Sequence, residues 1–270
     1  MTGLVKSLSL SLGADSSAVY TAHREPYVAQ LVAPMDDMWA AFSDGGAHHA
    51  LLVEGEEAGS CSVDAEARLL RFFVLPAFLQ HSEALLRLTI RELGVDHMMA
   101  STVDPTFLSS ALDVASKVES HTLMFAPTVE AQVPGLEGLT VAEMGDHGRI
   151  VDFQVAALGA PREFLDPYSR GRLESRELIL FEEGSRIVCV GELRPDVQQP
   201  GVAQVGVIVH QEERGRGVAS QMLSSLVQRS RADGLRPYCS TEKENVGARR
   251  AIERAGFRAH HRILRIEHGS

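Results

Sequence analysis

An apolar stretch and the turn that follows it carry the residue types in this sequence that are best suited to chemistry. Residues 205–209 alternate valine with glycine or isoleucine, which is typical of a strand buried on both faces. Residues 214–217 read Arg-Gly-Arg-Gly and precede an amphipathic helix predicted over 218–231. Glycines leave the inside of the turn free of side chains, so successive N–H groups can converge at the positive end of the helix. The pattern predicts a site for an anion such as a diphosphate.

The turn does not match two well-known phosphate-binding patterns. A P-loop requires Gly-Lys-Ser/Thr after a four-residue spacer, which the sequence lacks here. The dinucleotide-binding pattern requires a third glycine, but Gly217 is followed by Val-Ala-Ser. The plainest alternative is an ordinary strand-to-helix connection with two solvated arginines, Arg214 and Arg216.

A second motif follows in the C-terminal part of the chain. Residues 245–257 predict a helix that is capped by Asn245 and closed by Gly256, and they contain Asn-x-x-Ala and Gly-Phe. Together with Arg-x-x-Gly-x-Ala at 214–219, this succession resembles the GNAT superfamily of N-acetyltransferases. The resemblance implies that the turn holds the pyrophosphate of acetyl-CoA and that the pantetheine arm pairs with the preceding strand. The cofactor-binding residues that it implies are Val207, Val209, Arg214, Gly215, Arg216, Gly217, Val218, Ala219, Ser220, Asn245 and Ala248.

The resemblance extends over the C-terminal half and, more faintly, over the N-terminal half. Residues 137–270 are predicted to form a GNAT acetyltransferase domain that binds acetyl-CoA. Residues 1–133 repeat the order of elements, but residues 77–81 read Ala-Phe-Leu-Gln-His where the second half has its glycine turn. The first half therefore resembles a degenerate GNAT-like domain, with an unrelated α/β domain as the alternative. The predicted fold class is α/β, with two tandem GNAT-like domains, each a mixed twisted sheet flanked by helices.

The residues for catalysis are less well marked. Many family members carry a tyrosine, thought to protonate the leaving thiolate, four residues before the glycine of Gly-Phe; Ile252 occupies that position here. Tyr238, Ser240 or water could substitute. Glu192 is the candidate general base, although a solvated carboxylate at a strand end is the simpler interpretation. The family recognises its acceptor with the first two helices of the domain, where the sequence offers two aromatic candidates, Phe164 and Tyr168.

Composition narrows the range of partners. The chain has 270 residues and a formal net charge of -10, which argues against nucleic acid. No apolar run approaches the roughly 20 residues that span a bilayer, and the first residues lack a convincing signal-peptide core. The three cysteines are odd in number and lack metal-ligand spacing. We expect a cytoplasmic protein without a metal, nucleic-acid or membrane partner, acting as a monomer or homodimer.

The function implied by the resemblance is an acyl-CoA-dependent N-acyltransferase. It would move an acetyl group from acetyl-CoA to a primary amine of a small molecule or peptide by direct attack in a ternary complex. One alternative is a non-catalytic CoA-binding regulatory module, which Ile252 favours. Another is a tandem aminoacyl- or long-acyl transferase, which the intact turn argues against.

Overall fold

The computed structural model describes residues 7–12 and 14–269. These residues form two compact units. Unit 1 contains the residues up to 123 together with those from 261 onward, and unit 2 contains residues 124–260. In the described part of the chain, no helix is both long enough and apolar enough to cross a membrane.

Unit 1 is a mixed sheet with helices. Its strands in chain order are β1 (Leu8–Leu12), β2 (Ala47–Val53), β3 (Glu56–Val63), β4 (Arg68–Val74), β5 (His97–Ser101) and β6 (Ala115–Pro127), whose last residues enter unit 2. Its helices are α1 (Ala14–Ala22), α2 (Arg24–Gln30), α3 (Asp37–Asp44), α4 (Ser82–Leu93) and α5 (Pro105–Asp113). Strands β1 to β4 pair antiparallel in succession, and β5 joins β4 in parallel. The core includes Leu51, Leu69, Phe72 and Leu85, each fully buried.

Unit 2 repeats this architecture. Its strands are β7 (Thr140–Val141), β8 (Leu178–Glu183), β9 (Arg186–Pro195), β10 (Val202–Val209), β11 (Arg236–Glu242) and the start of β12 (Phe257–His268). Its helices are α6 (His147–Leu158), α7 (Arg162–Glu174), α8 (Val218–Ala232) and α9 (Val246–Arg254). Strands β7 to β10 pair antiparallel in succession, and β11 joins β10 in parallel.

Helices cover both faces of the unit 2 sheet. Alternation along β9 directs neighbouring residues to opposite faces. Gly191 faces α8, where an added Cβ would lie only 2.7 Å from Met222 Sδ. Glu192 faces α7, where it accepts a hydrogen bond from Tyr168. The α7 side of the sheet therefore carries a buried carboxylate that is bonded to a tyrosine hydroxyl.

The predicted fold class is confirmed, and the boundaries differ in places. The helix predicted over 218–231 is α8, which ends before Gly234 at φ 72°. The structure divides the chain after residue 123 rather than near 133, and residues from 261 onward group with unit 1 rather than with the C-terminal domain. There, Ile263 of β12 pairs antiparallel with Ser101 of β5.

The segment around the predicted domain boundary is packed against helices of unit 2. Thr128 N–H donates to Gly256 O at 3.1 Å. Leu136 N–H donates to Ser225 Oγ of α8 at 2.8 Å. An added Cβ at Gly256 would lie 2.5 Å from Val129 O, so this glycine admits the close approach of the segment. Residues 128–136 therefore lie against α8 and the end of α9.

Candidate functional site

Strands β10 and β11 pair over only part of their length. Their parallel ladder ends at Gln204 and Tyr238, whereas β10 continues to Val209 and stays paired with β9 up to Cys189. Along residues 205–209 the edge of β10 that faces β11 is not paired with that strand. Backbone N–H and C=O groups need partners, so this opening suits an extended ligand that can form hydrogen bonds along the strand.

The glycine turn lies at the end of this opening. Gly215 and Gly217 have φ of 85° and 88°, in the left-handed region that favours glycine. Gly217 is the N-cap of α8 and provides no side-chain cap. The first N–H groups of the helix therefore have no acceptor within the helix, and they carry about half a unit of positive charge from the helix dipole. An anion at this position would receive several hydrogen bonds at once.

The opening and the turn form one cavity of about 820 Å³. That volume lies within the roughly 300–1,000 Å³ usual for small-molecule sites. An added Cβ at Gly215 or Gly217 would have no heavy atom within 4 Å apart from those of the adjoining residues, so the turn faces open space that a side chain would occupy. The predicted residues that line the cavity are Val207, Val209, Arg214, Gly215, Gly217, Val218, Ala219, Ser220, Ser240, Asn245 and Ala248.

The two arginines of the turn have different surroundings. Arg214 lines the cavity and donates from Nη2 to Ala157 O, at the C-terminal end of α6, at 2.7 Å. Arg216 is not among the lining residues. It forms a short ion pair with Glu213, which also pairs with Arg186. The structure therefore brings Arg214 to the predicted site and places Arg216 outside it, with its charge neutralised by a carboxylate.

Helix α9 contributes the opposite wall. Asn245 caps the helix by accepting from Ala248 N–H at 3.1 Å, so the Asn-x-x-Ala spacing fixes the start of the helix. Ile252, at the position of the family tyrosine, is 5% exposed and lines the cavity. An isoleucine there offers no proton to a leaving group.

One residue on this wall, Arg254, was not among those that the sequence predicted. Arg254 lines the cavity, as does Arg250 one turn before it, and both also line an adjoining cavity of about 530 Å³. Neither side chain forms a hydrogen bond or ion pair with the residues that the structure describes. The i, i+4 spacing of the two arginines on a predicted helix was the available signal.

The interpretation of Glu192 as a solvated strand-end carboxylate is wrong. Glu192 lies inside β9 and is 7% exposed. Tyr168 Oη donates to its Oε2 at 3.0 Å, and Arg194 Nη1 lies 3.6 Å from the same oxygen. An added Cβ at Gly206, which lines the cavity, would lie 3.6 Å from that oxygen. The carboxylate is therefore beside the cavity wall, on the α7 face.

The two predicted acceptor residues lie together on α7. Phe164 and Tyr168 are stacked, with ring centroids 6.1 Å apart and planes at 13°. Burial raises the pKa of Tyr168, and the negative charge of Glu192 raises it further, so the phenol stays protonated. Neither ring lines the 820 Å³ cavity itself. Tyr168 links the pair of rings to the cavity wall through its hydrogen bond to Glu192.

The two alternative proton donors on β11 differ in position. Ser240 lines the cavity. Tyr238 is half-buried, pairs with Gln204 at the last rung of the ladder and is not a lining residue. Of the two, the structure brings only Ser240 to the opening between the strands.

Comparison with protein families matches both halves of the chain. A model described as an acetyltransferase (GNAT) domain matches residues 18–128, and one described as the acetyltransferase (GNAT) family matches residues 150–257. The chain belongs to the GNAT superfamily. It contains two GNAT domains in tandem, one in each half.

Solved structures resemble this tandem GNAT chain over its whole length. A GNAT-family acetyltransferase from Colwellia psychrerythraea is 28% identical, with a TM-score of 0.91 and coverage of 97% of this chain and 100% of the other. A GCN5-related N-acetyltransferase from Sphaerobacter thermophilus is 16% identical, with a TM-score of 0.62 and coverage of 97% and 95%. A tandem GNAT protein from the clavulanic acid biosynthesis pathway shares the fold at 15% identity, with a TM-score of 0.60 and coverage of 98% and 99%. A search of curated proteins finds no match.

The N-terminal GNAT domain has the corresponding strands but a different turn. Its β4–β5 ladder also stops early, after Leu69 and Met98. Residues Pro76–His81 form a 3-10 helix there, and no residue between 75 and 82, all of them described, has a positive φ. Phe72 packs against Phe107 at a centroid distance of 5.9 Å, and both rings are buried. The turn that would hold a diphosphate is replaced, which agrees with the prediction of a degenerate half.

The N-terminal domain holds a buried polar cluster beside helices α1 and α2. Arg71 is 3% exposed and lies 4.1 Å from the ring centroids of both Tyr20 and Tyr27. His23 hydrogen-bonds Ser60 Oγ at 3.1 Å and contacts Glu57 at 2.9 Å, an arrangement of serine, histidine and carboxylate. Ser60 is fully buried, so its hydroxyl is not accessible to a substrate. Among the described residues, no group of three or more His, Cys, Asp or Glu side chains could hold a metal ion.

Proposed function

We propose that this chain is an N-acetyltransferase that binds acetyl-CoA in unit 2 and acetylates a primary amine of a small molecule or peptide. The observation that carries the proposal is the pair of left-handed glycines at the N-terminus of α8, facing a cavity between two strands that part. Phosphate binding needs the first feature and an extended arm needs the second. The glycine turn and the opening between strands each occur alone in other proteins. Here they form one continuous cavity, which fits a ligand that has both a diphosphate and an extended arm.

The chain offers donors for each part of such a ligand. The first N–H groups of α8, after Gly217, would bind the diphosphate, and Arg214 adds positive charge at the same wall. The backbone of Val207 and Val209 would pair with the arm in the opening beside β11. Acetyl-CoA, when bound, supplies an activated acetyl thioester. A backbone N–H of β10 would polarise its carbonyl oxygen.

Glu192 is the base that the geometry supports. Both contacts of its side chain fall on Oε2, and none of the described residues hydrogen-bonds Oε1. Oε1 can therefore take a proton from the acceptor amine, directly or through one water. Ser240, which lines the cavity, is the candidate to return a proton to the departing thiolate, since Ile252 cannot and Tyr238 lies outside the cavity.

Two measurements test this proposal in sequence. Isothermal titration with acetyl-CoA should show binding to the full chain, and Gly217→Trp, which fills the open space before the turn, should abolish it. A thiol-detecting reagent should then report acetyl-CoA-dependent release of CoA with at least one primary amine. Absence of a calorimetric signal for the intact chain would overturn the proposal.

The second candidate is a CoA-binding module without catalysis, favoured by the apolar Ile252 in the cavity wall. It predicts tight acetyl-CoA binding and no CoA release over a broad panel of amines, amino acids and peptides. A transferase that uses another acyl donor would instead bind that donor in a way that CoA fails to displace, which a competition titration would detect.

A further inference from the structure

We infer that the acceptor is an amine carrying an aromatic group, which stacks on Phe164 of α7 while its amino group reaches Glu192. This inference rests on the proposed function and names the class of its acceptor. It follows from the path of contacts that leads from the cavity wall outward: Gly206, Glu192, Tyr168 and Phe164.

The inner end of this path fits an amino group. Arg194 Nη1 donates to Tyr168 Oη at 2.9 Å, and Tyr168 donates to Glu192 Oε2 at 3.0 Å. An arginine can only donate, so it occupies a lone pair of the phenol and directs the phenol proton to the carboxylate. Glu192 is thereby fixed as an acceptor beside Gly206, with Oε1 unengaged by the described residues. An amine can donate to this oxygen.

The outer end fits a flat apolar group. Phe164 is 64% exposed, and its ring lies nearly parallel to that of Tyr168. Lone exposed apolar residues are common, but this ring is held by a tyrosine whose hydroxyl is anchored to both Arg194 and Glu192. A ring held in place in advance loses little freedom when a ligand stacks on it. Leu158, 52% exposed, adds apolar surface at the cavity wall.

The charges near Tyr168 argue against a polyamine. Glu192 lies beside Arg194, and Glu177 accepts from Arg172 Nη1 at 2.7 Å. The Arg172 guanidinium itself lies 5.5 Å from the Tyr168 ring. Both carboxylates of this cluster thus have an arginine partner, so an amine that bonds Glu192 Oε1 has no unmatched carboxylate in the cluster for a second ammonium group. A monoamine with an aromatic group satisfies the site better than a chain of ammonium groups does.

Two sources share this chemistry: a free arylalkylamine, and a peptide whose N-terminal residue is aromatic. The experiment measures acetyl-CoA-dependent CoA release by the full chain with tryptamine, phenethylamine, ethanolamine and spermidine. It also compares the peptides Phe-Ala-Ala and Ala-Ala-Ala. We expect kcat/KM for the aromatic amines to exceed that for ethanolamine and spermidine by at least about tenfold. The peptide arm identifies the source, because only a peptide-specific site prefers Phe-Ala-Ala over phenethylamine.

Variants assign the preference to Phe164. Phe164→Ala should raise KM for the aromatic acceptor by about two- to tenfold, the factor expected for one aromatic pair, and leave kcat nearly unchanged. Phe164→Tyr should restore the wild-type KM. Val197→Ala is the matched truncation, at a residue that is 94% exposed and remote from α7 in sequence. It should change neither KM nor kcat.

The outcomes separate this inference from the proposed function. If acetyl-CoA binds and ethanolamine or spermidine is acetylated as well as the aromatic amines, the inference is overturned and the proposed function stands. The inference is likewise overturned, and the proposed function kept, if Phe164→Ala raises KM equally for aromatic and non-aromatic acceptors. If acetyl-CoA does not bind at all, the proposed function fails first, and the inference fails with it.

Discussion

Tyr168 Oη donates a hydrogen bond to Glu192 Oε2 at 3.0 Å, and this contact joins the α7 face to the wall of the cavity. Arg194 Nη1 donates to the same phenol oxygen at 2.9 Å, which leaves the phenol proton directed to the carboxylate. The contact holds the carboxylate beside Gly206, on the side of the cavity wall. Tyr168 is thus a positioning residue for the proposed reaction.

Removing the phenol hydroxyl should weaken the base without disturbing the donor site. Tyr168→Phe leaves Oε2 buried beside Gly206 with one donor fewer, so we expect kcat to fall about tenfold. Glu192→Gln should lower kcat by about 100-fold or more. Steady-state kinetics, with calorimetric affinity for acetyl-CoA as the control, checks both variants; equal loss of affinity would show a merely structural role.

The left-handed turn should be sensitive to the smallest side chain. Gly217→Ala places a Cβ on a residue with φ of 88°, at a cost of about 1–2 kcal/mol, and it disturbs the N–H groups that start α8. We expect the dissociation constant for acetyl-CoA to rise about tenfold. Gly234→Ala is the matched control, since Gly234 has φ of 72°, lies at the other end of α8 and does not line the cavity. It should lower stability in thermal unfolding and leave the affinity unchanged.

The sequence predicted the donor side of the site better than the acceptor side. The turn residues and Asn245 act through local backbone geometry, which glycine positions and capping patterns reveal directly. The environment of Glu192 depends on pairing with Gly206 across two strands and on contact with Tyr168 of α7. Such contacts join residues far apart in sequence, and alternation alone does not determine them.

The last strand, β12, is the element whose position differs most from the prediction. The sequence places residues 261–266 in the C-terminal domain with the rest of 137–270, because a sequence pattern does not state which neighbour a strand pairs with. In the structure Ile263 and Ile266 pair with β5 of unit 1. Both side chains are almost completely buried, so the apolar positions were predicted while the partner was not.

The unpaired arginines of α9 should contribute to donor binding through charge. Arg250 and Arg254 line the cavity wall without a partner among the described residues, so the double variant to glutamine should weaken acetyl-CoA binding about three- to tenfold. The difference in acetyl-CoA affinity between this double variant and wild type should shrink at high salt, because exposed charges are screened. Arg229 and Arg231, exposed on the last turn of α8 and outside both cavities, provide the matched double variant, which should bind normally. Titration at low and high salt measures this, and equal effects of the two double variants would contradict it.

Asp104 should make the stability of unit 1 depend on pH. Burial raises the pKa of this carboxyl from 3.8 to about 6, while its Oδ1 caps α5 by accepting from Phe107 N–H. The native state therefore holds a proton that the unfolded chain has lost, and this contribution to stability falls as pH rises from about 4 to about 6. Asp104→Asn keeps the cap acceptor and removes the titration. Its unfolding free energy relative to wild type should be higher at pH 7.5 than at pH 4.5, by roughly 2 kcal/mol.

Urea unfolding at the two pH values checks that expectation. The same difference between Asp104→Asn and wild type at pH 4.5 and pH 7.5 would show that the buried carboxyl does not change protonation between them. Asp64→Asn, a conversion of the same kind at the carboxylate paired with Arg68, provides a comparison. The surrounding groups lower the pKa of Asp64, so its replacement should cost stability at pH 7.5 and progressively less as the pH falls below about 4.

The stoichiometry of acetyl-CoA binding tests the central claim most directly. We expect one donor site in the chain, in unit 2, because the glycine turn is present there and a 3-10 helix replaces it in unit 1. Isothermal titration of the full chain should give one acetyl-CoA bound per chain, with no binding left in Gly217→Trp. Two acetyl-CoA molecules bound per chain would contradict this assignment. So would no binding at all, or binding that survives Gly217→Trp.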